Sequence, residues 1–95
     1  MRGLIWNCRG IRDKNKKDFI KEQITINNLD FVGIQETVKG EFTPLELSAL
    51  STQEDFGWDF LPSRGRSGGI LVGINKTTLV KREVEFGDYF VRINV

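Results

Sequence analysis

Two apolar segments of this chain end in polar side chains that can bind a metal ion. Asn7 follows the first segment directly, and Glu36 lies at the end of the second. If both segments are buried parallel strands, their ends meet at the edge where open α/β sheets place their ligand sites. A carboxylate beside an amide oxygen suits a hard divalent cation such as Mg²⁺, which takes few protein ligands and keeps its waters. We therefore predict Asn7 and Glu36 as the ligands of a divalent cation.

Arginine side chains lie close to these positions in the sequence. Arg9 and Arg12 follow Asn7 on a polar loop, and Arg64 and Arg66 lie on a second loop before a later apolar run. A guanidinium group matches phosphate oxygens in a bidentate way. We predict that Arg9, Arg12 and Arg66 contact a phosphate-bearing substrate. The alternative, that they are solvated loop residues, stays open.

The elements that must position these side chains are a strand, a helix and a second strand. The pattern predicts them over residues 3–7, about 16–27 and 29–35. Asn15 with Asp18 resembles a helix N-terminal capping pair. A strand–helix–strand unit of this length is most simply a parallel, right-handed crossover. This topology would place both candidate metal ligands at one edge of the sheet.

The second half of the chain has strand patterns and one short helix. Thr43, Pro44 and Glu46 have the spacing of a helix start with a capping box. Phe56, Trp58 and Phe60 alternate with polar or small residues, as in a strand. Further strands are predicted over residues 69–74, 79–86 and 89–95, with a turn at residues 87–88. We predict an antiparallel meander after one βαβ unit, with the three aromatic residues Trp6, Trp58 and Phe60 in the core.

Composition restricts the class of protein. The 95 residues are 39% hydrophobic and 28% charged, which is typical of one globular domain. No apolar stretch approaches the ~18 residues of a membrane span, and the first residues do not resemble a secretory signal. The single cysteine, Cys8, excludes an intramolecular disulfide and favours a reducing compartment. We predict an intracellular protein, nuclear or cytoplasmic, with no membrane partner.

Charge is distributed unevenly along the chain. Residues 1–27 carry seven basic against three acidic side chains, residues 28–60 one against seven, and residues 61–95 six against three. A basic first segment next to an acidic residue of a pocket is compatible with a phosphate-bearing ligand. A solvated helix face explains the lysines of the first segment equally well.

Three blocks in order carry a resemblance to a known family. They are Ile5-Trp6-Asn7-Cys8-Arg9-Gly10, Ile34-Gln35-Glu36-Thr37, and Gly65-Arg66-Ser67-Gly68-Gly69-Ile70-Leu71-Val72. The chain resembles the amino-terminal part of the endonuclease/exonuclease/phosphatase superfamily of hydrolases. The first and third blocks are most similar to the endonuclease region of plant non-LTR retrotransposons.

The resemblance implies a fold, a reaction and roles for residues. The fold is a deoxyribonuclease I-like, two-sheet α/β sandwich, of which residues 1–95 would be an incomplete, amino-terminal fragment. The activity is Mg²⁺-dependent phosphodiester hydrolysis, with nucleic acid as a plausible partner. Glu36 corresponds to the family's metal carboxylate, and Asn7 to the asparagine that helps place the metal and the scissile phosphate. Both are therefore expected to be catalytic residues.

The chain also departs from the family pattern. The superfamily uses a histidine–aspartate pair and an Asp-x-Asn block, and this sequence contains no histidine. Asp13-Lys14-Asn15 spells Asp-x-Asn but lies in the first loop, where it suits turn and cap chemistry. We predict that the chain binds Mg²⁺ or Mn²⁺ weakly, is inactive alone, and self-associates because half a sandwich leaves apolar faces open.

Two alternatives remain on the sequence alone. A phosphatase of the same superfamily, acting on inositol phosphates or lipids, would use the same Asn7 and Glu36. A non-enzymatic interaction module would instead recruit a partner through an open edge strand. Downstream sequence, or binding behaviour that ignores Mg²⁺, would discriminate between them.

Overall fold

The computed structural model describes residues 2–52, 56–79, 83–86 and 91–94, which form a mixed α/β structure. Its elements are β1 (Gly3–Asn7), α1 (Lys14–Asn27), β2 (Phe31–Gln35), α2 (Pro44–Ser48), β3 (Phe56–Leu61), β4 (Ile70–Asn75), β5 (Glu83–Phe86) and β6 (Val91–Asn94). The predicted α/β fold class is confirmed. The turn predicted at residues 87–88 and the start of the strand predicted over 79–86 fall largely outside the described residues.

Four strands form one sheet in the order β1-β2-β4-β3. β1 and β2 are parallel, as the βαβ prediction requires, whereas β4 is antiparallel to both β2 and β3. The predicted meander is confirmed for the antiparallel pairs β3–β4 and β5–β6 but not between β4 and β5, which belong to different sheets, and β4 lies between β2 and β3. The connection over residues 36–55 is long enough to place β3 one strand position away from β2. The chain then turns back after β3, and β4 occupies the position between them. β5 and β6 pair antiparallel with each other.

Helix α1 begins two residues earlier than the sequence indicated. Asp13, not Asn15, is its N-cap, and its Oδ1 accepts a 2.8 Å hydrogen bond from the Asn15 backbone N–H. This bond satisfies a donor that the helix itself leaves unpaired. The interpretation of Asp13-Lys14-Asn15 as cap chemistry is thus confirmed, while the Asn15–Asp18 capping pair is wrong.

Helix α1 stops at Asn27 because Asn28 adopts the left-handed conformation, with φ of 51°. The Asn28 N–H donates to the Ile24 carbonyl, which closes the last turn. The following strand begins at Phe31 rather than at Leu29. Leu29 lies in the connection between α1 and β2, with its side chain buried.

Helix α2 starts as its sequence predicts. The Thr43 Oγ1 accepts a 3.2 Å hydrogen bond from the Glu46 backbone N–H, and the Glu46 carboxylate accepts one of 3.3 Å from the Thr43 N–H. These two bonds form the capping box, and Pro44 occupies the first turn. Lys39 adds an ion pair to Glu46 at 2.7 Å, which ties α2 to the segment after β2.

The core lies between the helices and one face of the sheet. Side chains alternate across a strand, so the residues that share this inner face follow from the strand register. They include Leu4 and Trp6 of β1, Val32 and Ile34 of β2, Leu71 of β4, and Trp58 and Phe60 of β3, packed with Ile20 and Ile24 of α1. The predicted core placement of Trp6, Trp58 and Phe60 is confirmed.

The opposite, outer face of the sheet is mainly apolar. The strand register places on it Ile5, Phe31, Leu61, Ile70, Val72 and the buried Ile74, together with the charged Asp59. Ile5 leans over Gly33 but remains 66% exposed. Neither helix in the described part of the chain has the length and apolarity that crossing a bilayer requires.

Candidate functional site

The two candidate metal ligands lie at neighbouring strand ends. Asn7 is the last residue of β1 and pairs in register with Gln35, the last residue of β2, which Glu36 follows directly. The side chains of Asn7 and Glu36 are exposed and line the same cleft. Parallel pairing of β1 with β2 produces this arrangement, because parallel strands end on the same side of a sheet.

The cleft consists of two adjoining hollows, which together we call the strand-end cleft. Asn7, Glu36, Ser67 and Gly68 line both hollows. The first, of about 350 Å³, opens toward the outer face of the sheet and is completed by Gln35, Leu61, Pro62, Arg64, Gly69 and Ile70. The second, of about 420 Å³, is completed by Arg9, Val38 and Arg66. One wall is therefore apolar and the other basic.

Backbone hydrogen bonds join the three loops that form the cleft. The loop after β1 donates from Gly10 to the Glu36 carbonyl at 2.7 Å and from Ile11 to the Thr37 carbonyl at 3.0 Å. The segment after β2 donates in turn from Thr37 and Val38 to the carbonyls of Gly69 and Gly68, at 3.2 and 2.9 Å. Glu36 is thus held by backbone contacts on both sides rather than on a loose loop.

Unusual backbone conformations cluster around Glu36. Arg9, Glu36 and Val38 have φ of 52°, 54° and 52°. A left-handed conformation is uncommon for any residue with a side chain and is an outlier for β-branched valine. Such conformations persist where the surroundings over-determine them, and they concentrate at functional sites. The cluster therefore supports a site at Glu36 independently of its chemistry.

Gly68 and Gly69 lie between the tight turn at Gly65 and Arg66 and the first residue of β4. Their φ values are 78° and 91°, in the region that favours glycine. A Cβ on Gly69 would also overlap Thr37 Oγ1, whereas a Cβ on Gly68 would meet open space. Thr37 is fully buried, so it has little room to move away.

We expect Gly69→Ala to lower the free energy of unfolding by about 2–3 kcal/mol, because it adds steric overlap to backbone strain. Gly68→Ala is the matched control and should cost about 1 kcal/mol, from strain alone. Urea unfolding followed by circular dichroism measures both. Equal losses for the two variants would show that Thr37 does not restrict this position.

The side-chain charges of the strand-end cleft are mainly positive. Its lining contains one carboxylate, Glu36, and three arginines, Arg9, Arg64 and Arg66. Arg12, the remaining arginine predicted to contact substrate, is exposed and lines neither hollow. Ser67 was not singled out from the sequence, although it stands inside the third block of the resemblance.

The donor set determines which metal the cleft fits. Within the described residues no three His, Cys, Asp or Glu side chains group together, and Glu36 forms no ion pair there. One carboxylate with one amide oxygen is too few for a closed zinc or calcium cage but fits Mg²⁺, which retains water and uses substrate oxygens.

Cys8 lines neither hollow of the strand-end cleft. Its side chain is buried, and burial raises the pKa of the thiol above its ordinary value. The thiol donates a weak hydrogen bond to the Glu36 carbonyl at 3.6 Å, so Cys8 helps to hold the backbone of the candidate ligand.

No protein-family model and no curated protein matches this chain. Solved structures do. The chain is similar to a 3′ phosphatase from Neisseria bound to a product DNA hairpin, with TM-score 0.64 and 14% identity over 88% of this chain and 30% of that one. It is similar to an AP endonuclease from Archaeoglobus fulgidus, with TM-score 0.67 and 18% identity over 95% of this chain and 35% of that one.

A third similar structure is the catalytic domain of APE2 from Xenopus laevis, with TM-score 0.58 and 20% identity over 92% of this chain and 27% of that one. This chain therefore spans about a third of the length of the proteins it resembles. At these identities the likeness establishes the fold. The described residues form part of the deoxyribonuclease I-like α/β fold of these enzymes.

Proposed function

We propose that this chain is the amino-terminal part of a Mg²⁺-dependent phosphodiesterase of the endonuclease/exonuclease/phosphatase superfamily, in the branch of plant non-LTR retrotransposon endonucleases. The observation that carries the proposal is the placement of Asn7 and Glu36 at adjacent parallel strand ends, in one cleft with three arginines. The shared fold supports it, and so do the three sequence blocks, which line or border that cleft.

In this proposal, some residues of the cleft bind the metal and others bind the phosphate. The Glu36 carboxylate and the Asn7 amide oxygen would hold Mg²⁺, which would stabilise charge on the phosphoryl oxygens. Arg9 and Arg66 line the same hollow as these ligands, and their guanidinium groups would contact the phosphate of the substrate. The apolar wall at Leu61, Pro62 and Ile70 would face the remainder of the substrate.

Nucleic acid is the substrate that these features favour. Several arginine side chains in one cleft attract a phosphate backbone independently of its base sequence. The similar 3′ phosphatase was solved with a DNA hairpin, which shows that the fold accommodates such a ligand in that protein.

A phosphatase is the second candidate, and the likeness to a 3′ phosphatase favours it. Asn7 and Glu36 would serve both reactions in the same way. The products separate them, because a phosphatase releases inorganic phosphate from a terminal phosphoester and an endonuclease nicks an internal bond.

Mn²⁺ binding tests the metal site directly. We expect weak binding, detected as loss of the free Mn²⁺ signal in electron paramagnetic resonance, and its abolition by Glu36→Gln, which keeps the shape and removes the charge. Glu41→Gln is the matched control, because Glu41 is exposed and lines neither hollow. Binding that survives Glu36→Gln would place the cation elsewhere and reject the proposed site.

A further inference from the structure

One lysine of helix α1 binds the loop after β1 with all of its donors. The Lys16 ammonium donates to three consecutive backbone carbonyls, those of Cys8, Arg9 and Gly10, at 2.7, 3.2 and 3.0 Å. An ammonium group has three donors and no acceptor, so the loop satisfies its hydrogen-bonding capacity completely. This is a more specific contact than a solvated lysine makes.

The same peptide groups contact the backbone of Glu36 on their other side. A peptide is planar, so its carbonyl and its N–H point in opposite directions. The peptide between Arg9 and Gly10 gives its oxygen to Lys16 and its N–H to the Glu36 carbonyl. The next peptide gives its oxygen to Lys16 and its N–H, from Ile11, to the Thr37 carbonyl. One peptide unit therefore connects the ammonium to the backbone of Glu36, the candidate metal ligand, and a second connects it to the next residue, Thr37.

The loop needs such a cation. Arg9 and Gly10 have φ of 52° and 98°, a sequence of left-handed residues that turns three carbonyls toward one point. Carbonyl oxygens that converge on one point repel each other, and a positive charge at that point offsets the repulsion. With a neutral side chain at position 16 the three oxygens would repel each other, and the loop would change its conformation.

We infer that Lys16 is a positioning residue for the Asn7–Glu36 site. It acts through the loop over residues 8–11, and the inference rests on the proposed function only in taking Glu36 and Asn7 as the metal ligands. Partners that orient metal ligands typically change affinity 10–100-fold when they are removed. Lys16 would orient the metal ligands from helix α1, through the loop and not by contact with the metal or the substrate.

The experiment compares Lys16→Met with Lys14→Met in the full chain. Both variants remove one positive charge from the start of α1. The Lys14 side chain is 89% exposed and forms a surface ion pair with Asp18 at 3.3 Å, so Lys14→Met controls for the change in net charge. Three quantities are measured: amide hydrogen exchange of Gly10 and Ile11, the ¹³C chemical shift of the Glu36 carboxylate, and the dissociation constant of Mn²⁺.

In Lys16→Met we expect amide exchange of Gly10 and Ile11 to accelerate at least about tenfold, with exchange in the centre of α1 unchanged. We also expect the Glu36 carboxylate resonance to move and the Mn²⁺ dissociation constant to rise about tenfold. Lys14→Met should match the wild type in all three measurements.

Two results would overturn the inference. One is unchanged exchange at Gly10 and Ile11, which would mean that Lys16 does not hold the loop. The other is faster exchange with an unchanged Glu36 resonance and Mn²⁺ affinity, which would make Lys16 a structural residue only. If the wild-type chain binds no Mn²⁺, the proposed metal site fails, and the Glu36 resonance alone still decides the role of Lys16.

Lys16→Arg serves if Lys16→Met does not fold. It keeps the charge, but a planar guanidinium cannot direct three donors to carbonyls that converge on one point. Faster amide exchange of Gly10 and Ile11 than in the wild type, together with a moved Glu36 carboxylate resonance, supports the inference. Wild-type values for both would overturn it.

Discussion

Purified chain is expected to leave both supercoiled plasmid and abasic-site duplex intact in the presence of Mg²⁺. The strand-end cleft offers a single carboxylate, Glu36, and the sequence contains no histidine to activate an attacking water. General acid–base catalysis typically contributes about 10²–10⁴ in rate, and transition-state donors about 10²–10³ more. Without both, the rate should fall at least about four orders of magnitude below that of a complete nuclease.

A plasmid-nicking assay on agarose measures this, with Glu36→Ala as the matched control. Equal and negligible nicking by the two proteins is the expected result. Mg²⁺-dependent nicking that disappears in Glu36→Ala would contradict the prediction. It would mean that the chain assembles a working site, for example by pairing two copies, which its cleft as a single molecule does not contain.

The placement of Asn7 beside Glu36 could be predicted because local signals agree there. Each apolar run has the length of a strand, and the segment between them is helical with a clear stop at Asn28. A right-handed crossover then leaves one arrangement for two parallel strands. The capping box at Thr43 and Glu46 was equally readable, since it involves residues three apart and depends on no distant contact.

The insertion of β4 between β2 and β3 could not be read in this way. The alternation of side chains along a strand sets which face is buried, but it is the same whether the strand lies beside β2 or at the edge of the sheet. The sequence pattern therefore does not determine the strand order. The helix start at Asp13 was missed for a different reason: Asp13 and Asn15 are both good N-caps, and only the path of the loop from β1 decides between them.

The contacts that shape the site are the hardest to predict from the sequence. Glu36 and Val38 adopt left-handed conformations, although glutamate and valine normally avoid them and nothing in the sequence indicates them. They are imposed by backbone bonds to Gly10 on one side and Gly68 on the other. Lys16 resembled the other lysines of its segment, because a solvated lysine and one that binds three carbonyls are the same letter in a sequence.

The isolated chain is expected to self-associate at micromolar concentration through the outer face of its sheet. Ile5 is 66% exposed on β1, an edge strand of the sheet, and shares the outer face with the half-buried Phe31 and Val72. Burying an aliphatic side chain of this size stabilises an interface by about 1.5–3 kcal/mol. In a symmetric dimer the residue is buried twice, so its loss costs about 3 kcal/mol or more and raises the dissociation constant at least about a hundredfold.

Ile5→Asp should therefore convert the associated chain to a monomer in sedimentation equilibrium. Ile26→Asp is the matched control, because Ile26 is 67% exposed but lies on helix α1, away from this face. The same substitution there should leave association unchanged, since no sheet surface is altered. Equal effects of both variants would mean that general hydrophobicity, and not this face, drives association. A wild-type chain that is monomeric and melts in one sharp transition would contradict the prediction and favour a domain that needs no second sheet.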